Sequence, residues 1–163
     1  MKLEGSCHCG AVRFSLESET PYPFMLCYCS ICRKTGGGGG YAINIMGLAV
    51  TLEVQGTDYV KSFYPWSDHP ARTERSEGLR HFCGECGTAL WVSNERWSEL
   101  IHPFASAIDT PLPSAPERNH ILLDFKPAWV PLPDSGDDHH YPQYPGESIQ
   151  SWHEQRGLLA KGR

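Results

Sequence analysis

The amino-acid sequence predicts an all-β domain built from short strands. Residues 11–17 and residues 50–55 alternate strictly between apolar and polar side chains, which is the period-two pattern of a half-buried strand. The chain also contains 16 glycines and 13 prolines, which favour turns between short strands. No long stretch places apolar residues at helical spacing, so the all-β class is preferred to a helical or mixed one.

Further strands are predicted along the rest of the chain. In chain order they cover residues 41–46, 58–64, 79–82, 88–92, 100–107 and 120–125. The segments 64–78 and 111–116 contain prolines and lack alternation, so we expect them to be surface loops.

A change of composition divides the chain near residue 130. Residues 1–130 are expected to form one domain. Residues 131–163 contain several prolines and aspartates and the pair His139-His140, and we expect a tail that packs on the domain surface. Within this tail, Ser151 and Glu154 are spaced as a helix capping box, which predicts a short helix near residues 149–155.

Composition and charge exclude several classes of protein. Apolar residues make up 40% of the chain and charged residues 20%, which is too apolar for a disordered protein and too polar for a membrane protein. The formal net charge of −5 argues against DNA or RNA as a partner, so we expect neither nucleic-acid nor membrane binding. Local basic groups could still hold a small anion, namely Arg33-Lys34 or the set Arg72, Arg75 and Arg80.

Seven cysteines carry the strongest functional signal in the sequence. Their number is odd, and the first residues lack the hydrophobic stretch of an export signal, so we expect free thiols in a reducing, cytoplasmic setting. Most of them lie one or two residues apart, which is too close for good disulfide partners but well suited to a metal ion.

Two cysteine pairs are expected to share one zinc ion. Cys7 and Cys9 are separated by one residue, so in an extended strand both sulfurs leave on the same side. Cys83 and Cys86 flank a glycine-containing turn of the zinc-knuckle type. Each pair supplies two ligands and tetrahedral zinc takes four, so together they would form a closed, structural site.

The remaining cysteines, Cys27, Cys29 and Cys32, offer three sulfurs from one short segment. Three protein ligands with a fourth position open is the pattern of catalytic zinc. The sequence therefore predicts two zinc ions, one enclosed and one with a vacancy. Two alternatives remain open: a histidine such as His8 or His81 could fill the vacancy, or the first pair could share its metal with Cys27 and Cys29 instead.

Three motifs in chain order resemble the glutathione-dependent formaldehyde-activating enzyme family, which also includes centromere protein V. They are GSCHCGAVRF at 5–14, CYCSICRK at 27–34 and FCGECGT at 82–88, and the likeness covers roughly residues 3–130. The resemblance implies a β-tent zinc-binding fold of short antiparallel strands for residues 1–130. It also implies structural zinc ligands at Cys7, Cys9, Cys83 and Cys86, and catalytic zinc ligands at Cys27, Cys29 and Cys32.

The resemblance further implies a carbon–sulfur lyase that joins glutathione to formaldehyde as S-hydroxymethylglutathione. The open zinc position would bind the thiol and lower its pKa, or would polarise the carbonyl oxygen of the aldehyde. Arg33 or Lys34 could then anchor a carboxylate of glutathione. The competing hypotheses are a zinc-stabilised binding module without catalysis, as the centromere branch suggests, and redox sensing by the three clustered cysteines.

Overall fold

The computed structural model describes residues 1–36, 38–67, 74–133 and 136–161, and strands dominate it. The prediction of an all-β fold is confirmed. The strands of the described residues are, in chain order, β1 (Lys2–Ser6), β2 (Arg13–Glu17), β3 (Met25–Cys27), β4 (Ala42–Ile43), β5 (Gly47–Leu48), β6 (Glu53–Gln55), β7 (Val60–Phe63), β8 (Leu79–Cys83), β9 (Ala89–Ser93), β10 (Leu100–Pro103), β11 (Asn119–Ile121) and β12 (His139–His140). Two short α-helices, α1 (Ser30–Thr35) and α2 (Ile149–Gln155), accompany them, and neither is long and apolar enough to cross a membrane.

The first sheet joins β1, β2 and β6 in antiparallel order. Its inner face follows the predicted alternation, because Phe14 and Leu16 on β2 are almost fully buried. Gly5 on β1 pairs with Phe14, and a Cβ at Gly5 would lie 2.4 Å from the Phe14 ring and 2.4 Å from the backbone oxygen of Ala107. A glycine is therefore required for the sheet to pack this closely.

The second sheet has the antiparallel order β5-β10-β9-β8-β7 and forms the largest layer. Its β8–β9 hairpin carries the predicted knuckle, since Cys83 ends β8 and Cys86 lies in the turn that leads to β9. Leu90, Trp91 and Val92 on β9 are buried in the core. This sheet therefore places Cys83 and Cys86 beside Cys7 and Cys9 near the start of the chain, and its strand β9 packs in the core.

The third sheet has the order β12-β11-β3-β4 and contains parallel pairs. Strand β11 runs parallel to both β3 and β12, in a fold whose other strand pairs are antiparallel, as expected. A long stretch of chain that includes the second sheet connects β3 to β11, so β11 can pair with β3 in a parallel orientation. Strand β3 is central to the site because it ends at Cys27, beside Ile121 of β11.

Several predicted boundaries are wrong for local reasons. The expected strand over residues 50–55 begins instead with a 3-10 turn, Ala49–Thr51, and Val50 is 92% exposed. The expected strands over 100–107 and 120–125 each end early and continue as 3-10 turns. The alternation of apolar and polar side chains does not reveal these turns, because a 3-10 turn of only three residues is too short to interrupt the pattern visibly.

The C-terminal helix lies where it was expected, but another residue caps it. The side chain of Ser148, rather than Ser151, accepts the hydrogen bond of the first turn, from the backbone N–H of Ser151. Trp152 is fully buried and stacks on Phe24 with ring centroids 3.7 Å apart. The division near residue 130 stays a prediction, and the tail supplies both β12 and this buried anchor.

Candidate metal centres

Four sulfurs meet where β1 ends and the β8–β9 hairpin turns. They lie within 4.8 Å of one another and belong to Cys7, Cys9, Cys83 and Cys86. The sulfur of Cys9 is 3.5 Å from that of Cys7 and 3.8 Å from that of Cys83. Zinc–sulfur bonds of about 2.3 Å in a tetrahedron place sulfurs about 3.8 Å apart, so this group has the dimensions of a four-thiolate zinc site.

Tight backbone turns hold this four-sulfur group in place. Gly10 and Gly87 both have φ of +76°, the left-handed conformation that glycine adopts readily, and each donates its N–H to the carbonyl of the first cysteine of its turn. The Val12 N–H points at the Cys7 sulfur from 3.2 Å. A hydrogen bond with Thr88 lowers the pKa of Cys86 to about 5. These contacts favour the thiolate form, which binds zinc, at Cys7 and Cys86.

The second group consists of the sulfurs of Cys27, Cys29 and Cys32, which we call the cysteine trio. Cys27 ends β3, Cys29 caps helix α1, and Cys32 lies within that helix. The Cys29 sulfur accepts the backbone N–H of Cys32 at 3.3 Å, so the first helical turn folds one ligand back toward another. All three side chains are buried, with exposed fractions of 3–8%.

The pKa values of the thiols in the trio are shifted in opposite directions. The pKa of Cys32 lies well below its usual range because the thiols of Cys27 and Cys29 hydrogen-bond to its sulfur, and the guanidinium of Arg80 adds to the effect. The pKa of Cys27 is raised, first by its hydrogen bonds with Cys29 and Cys32 and then by burial. Three thiolates this close and this buried need a cation among them, so the donor set suits a divalent metal ion.

Neither histidine considered as a fourth ligand joins the trio. His81 pairs its ring nitrogen with the hydroxyl of Ser93 at 3.0 Å and stacks on Trp91, while His8 is exposed. Over the described residues, no further cysteine, histidine, aspartate or glutamate lies with the three sulfurs. The alternative in which Cys7 and Cys9 share a metal with Cys27 and Cys29 is not found, because their sulfurs lie with those of Cys83 and Cys86. The ligand roles of the seven cysteines stay a prediction.

A cavity of about 690 Å³ opens onto the trio. Its walls come from the second and third sheets, helix α1 and the tail, which contributes Gln143, Tyr144 and Ile149. Most of the wall is apolar, with side chains that include Met25, Ile31, Val92, Trp97, Phe125 and Ile149. A small molecule that reaches the three sulfurs would therefore leave most of its water behind.

The polar part of the cavity wall is smaller than the apolar part. Arg80 places its Nη2 3.6 Å from the sulfur of Cys32, and Asn44 places its Oδ1 3.8 Å from the same atom. His102 packs edge-on against Trp97 at 4.6 Å, and burial lowers its pKa to about 4. His102 is therefore neutral at pH 7, and Arg80 is the lining residue with a permanent charge within the described part of the chain.

The basic residues expected to anchor a substrate carboxylate lie elsewhere. Arg33 and Lys34 occupy the last turn of α1 and do not line the cavity. Arg80 was named only as one of several basic groups, and Asn44 was not singled out. One feature of the sequence points to Arg80, because it lies three residues before Cys83 on a predicted strand. Whether its side chain faces the trio depends on how that strand pairs with its neighbours, which the sequence does not specify.

Comparisons with known proteins identify the family to which this chain is similar. The family model of the glutathione-dependent formaldehyde-activating enzyme matches residues 2–124. A protein of Halomonas elongata named after the same enzyme is 54% identical over 158 residues, which cover 97% of this chain and 98% of the relative. A crystal structure of a Rhodobacter sphaeroides protein has a TM-score of 0.51 over 69% of this chain and 92% of its own, at 24% identity, and supports the fold alone.

Proposed function

This chain belongs to the glutathione-dependent formaldehyde-activating enzyme family, and from that membership we propose that it is a carbon–sulfur lyase acting on glutathione and formaldehyde. The observation that carries the proposal is the cysteine trio, whose three sulfurs lie together at the floor of a cavity. Three sulfur ligands leave room for a fourth, and the sulfur of an incoming thiol is chemically equivalent to those already present.

We propose zinc for both cysteine groups, one ion in each. Cys7, Cys9, Cys83 and Cys86 would hold the enclosed ion, and Cys27, Cys29 and Cys32 would hold the other. The ion at the trio would supply Lewis acidity that lowers the pKa of an additional thiol, so that a thiolate is present at neutral pH. All seven cysteines are free thiols, which supports a reducing compartment such as the cytoplasm.

The chain's own residues would bind and orient the two reactants. The apolar wall formed by Trp97, Phe125 and their neighbours excludes water from the thiol and the aldehyde. The ring of His102 is neutral, so it adds no positive charge that would draw the thiolate away from the metal. Thiols add to formaldehyde without a catalyst, so positioning of the two reactants beside each other supplies a large part of the expected acceleration.

The test is an assay of hemithioacetal formation with zinc-loaded protein, formaldehyde and glutathione. We expect an initial rate above the uncatalysed blank, and we expect the acceleration to disappear after a chelator removes the metal and to return when zinc is restored. Two further thiols, cysteine and 2-mercaptoethanol, serve to identify the preferred partner. A rate equal to the blank with every thiol would contradict the proposed function.

A further inference from the structure

Arg80 lies beside the cysteine trio with part of its hydrogen-bonding capacity unused. Its Nη2 approaches the Cys32 sulfur at 3.6 Å, whereas its Nε and Nη1 are buried and have no hydrogen-bond partner. A buried donor without a partner costs folding free energy, and the cost is larger when the group is charged. Such a group is uncommon in a folded protein and calls for an explanation.

The backbone of Arg80 is rigidly placed. It lies inside β8, where it pairs with Phe63 of β7 on one side and with Val92 of β9 on the other. Its guanidinium also lies over the ring of Phe104, 5.7 Å from the centroid. No carboxylate of the described residues lines the cavity to pair with this guanidinium.

We propose that Arg80 is a catalytic residue that stabilises the oxygen anion formed when the thiolate adds to the aldehyde. This inference rests on the function proposed above. In that step the thiolate sulfur forms a bond to the carbonyl carbon, the π bond of the carbonyl breaks, and its electron pair moves to oxygen. The oxygen then takes a proton from water to give the hemithioacetal, and the proton released earlier by the thiol returns to solvent, so charge and atoms balance.

The distances favour this oxygen over a carboxylate of glutathione. The new oxygen anion is two bonds from the reacting sulfur, and that sulfur is to join the three sulfurs of the trio. The Nη2 of Arg80 is 3.6 Å from one of those sulfurs, so the guanidinium lies beside the region where the anion develops. The carboxylates of glutathione are many bonds away and would extend toward the mouth of the cavity. Donors aimed at developing charge in a water-poor site contribute strongly to catalysis.

The test compares Arg80→Met and Arg80→Lys with a control variant, Arg13→Met. Arg13 is also a strand residue but is exposed on β2 and does not line the cavity. We expect Arg80→Met to lower kcat about 100-fold to 1,000-fold with formaldehyde and either glutathione or 2-mercaptoethanol, with little change in the KM of the thiol. Arg80→Lys keeps the charge and should recover part of the loss, and Arg13→Met should match the wild type.

A second measurement detects the same residue by binding instead of turnover. Mercaptoacetate carries an oxygen anion close to its sulfur, and 2-mercaptoethanol carries a neutral oxygen there. In calorimetric titrations of zinc-loaded protein, Arg80→Met should weaken mercaptoacetate binding at least about 10-fold and change 2-mercaptoethanol binding little.

Three outcomes separate the Arg80 assignment from the proposed function. Unchanged kcat in Arg80→Met would overturn the assignment of Arg80 and leave the proposed function intact. A rise confined to the KM of glutathione would assign Arg80 to a carboxylate instead and would also overturn it. Wild-type protein that gives only the blank rate with both thiols would contradict the proposed function and this role together.

Discussion

Replacing Cys86 with alanine is expected to lower the Tm by more than about 10 °C, although its side chain is exposed. An exposed side chain outside a special feature normally changes stability only slightly when truncated. Cys86 differs because it completes the four-sulfur group that ties the start of the chain to the β8–β9 hairpin. Metal affinity in a site of this type is also folding free energy, so removal of one of four thiolates weakens both.

Thermal unfolding together with zinc analysis measures this effect. Glu85→Ala is the matched control, because Glu85 is exposed in the same turn and is not among the four sulfur donors. We expect its Tm to remain within about 2 °C of the wild type, with zinc content unchanged. If Cys86→Ala and Glu85→Ala unfold at the same temperature, the four-sulfur group does not hold a structural metal ion.

Replacing Cys27 with alanine is expected to abolish the acceleration of hemithioacetal formation while the protein stays folded. Cys27 supplies one of only three sulfurs in the trio, and two sulfurs would not retain the metal with useful affinity. The first cysteine group is intact in this variant and continues to hold the sheets together. We expect circular dichroism to match the wild type, about one zinc ion per chain to be lost, and kcat to fall at least about 100-fold.

Leu26→Val, in the same strand, is the control that should lower stability without affecting catalysis. Leu26 is buried on the other face of β3, in a small cluster with Tyr28 and Val130. Its truncation should cost about 1 kcal/mol of stability and leave kcat unchanged. If Cys27→Ala instead unfolds the protein as severely as loss of a ligand from the four-sulfur group, the trio is a second structural site and the non-catalytic binding module becomes the better hypothesis.

The sequence predicts the two cysteine groups well because each depends on local geometry. Residues one apart in an extended segment place Cys7 and Cys9 on one side, and a glycine turn brings Cys83 and Cys86 together, whatever the rest of the fold does. Only the pairing of these two units is long-range, and the need of zinc for four ligands predicts that pairing. The structure brings together the same sulfurs.

The surroundings of the trio could not be predicted in the same way. Arg80 faces Cys32 only because β8 has a particular register between β7 and β9, and Asn44 reaches the same sulfur through a bridge to Phe104. Tyr144 reaches the cavity from the tail, far along the chain. Each of these placements depends on contacts between distant residues, and a single sequence with periodic patterns does not specify which strands become neighbours.

The proposed chemistry requires a difference between the two cysteine groups: the first is complete with four sulfurs, and the second has three and accepts a fourth from the substrate. Zinc K-edge X-ray absorption of the two-zinc protein measures the mean number of sulfurs per zinc ion. We expect about 3.5 without added thiol and about 4 once glutathione is bound. A value of 4 before any thiol is added, unchanged by glutathione, would show that both ions are already enclosed and would contradict an open position at the trio.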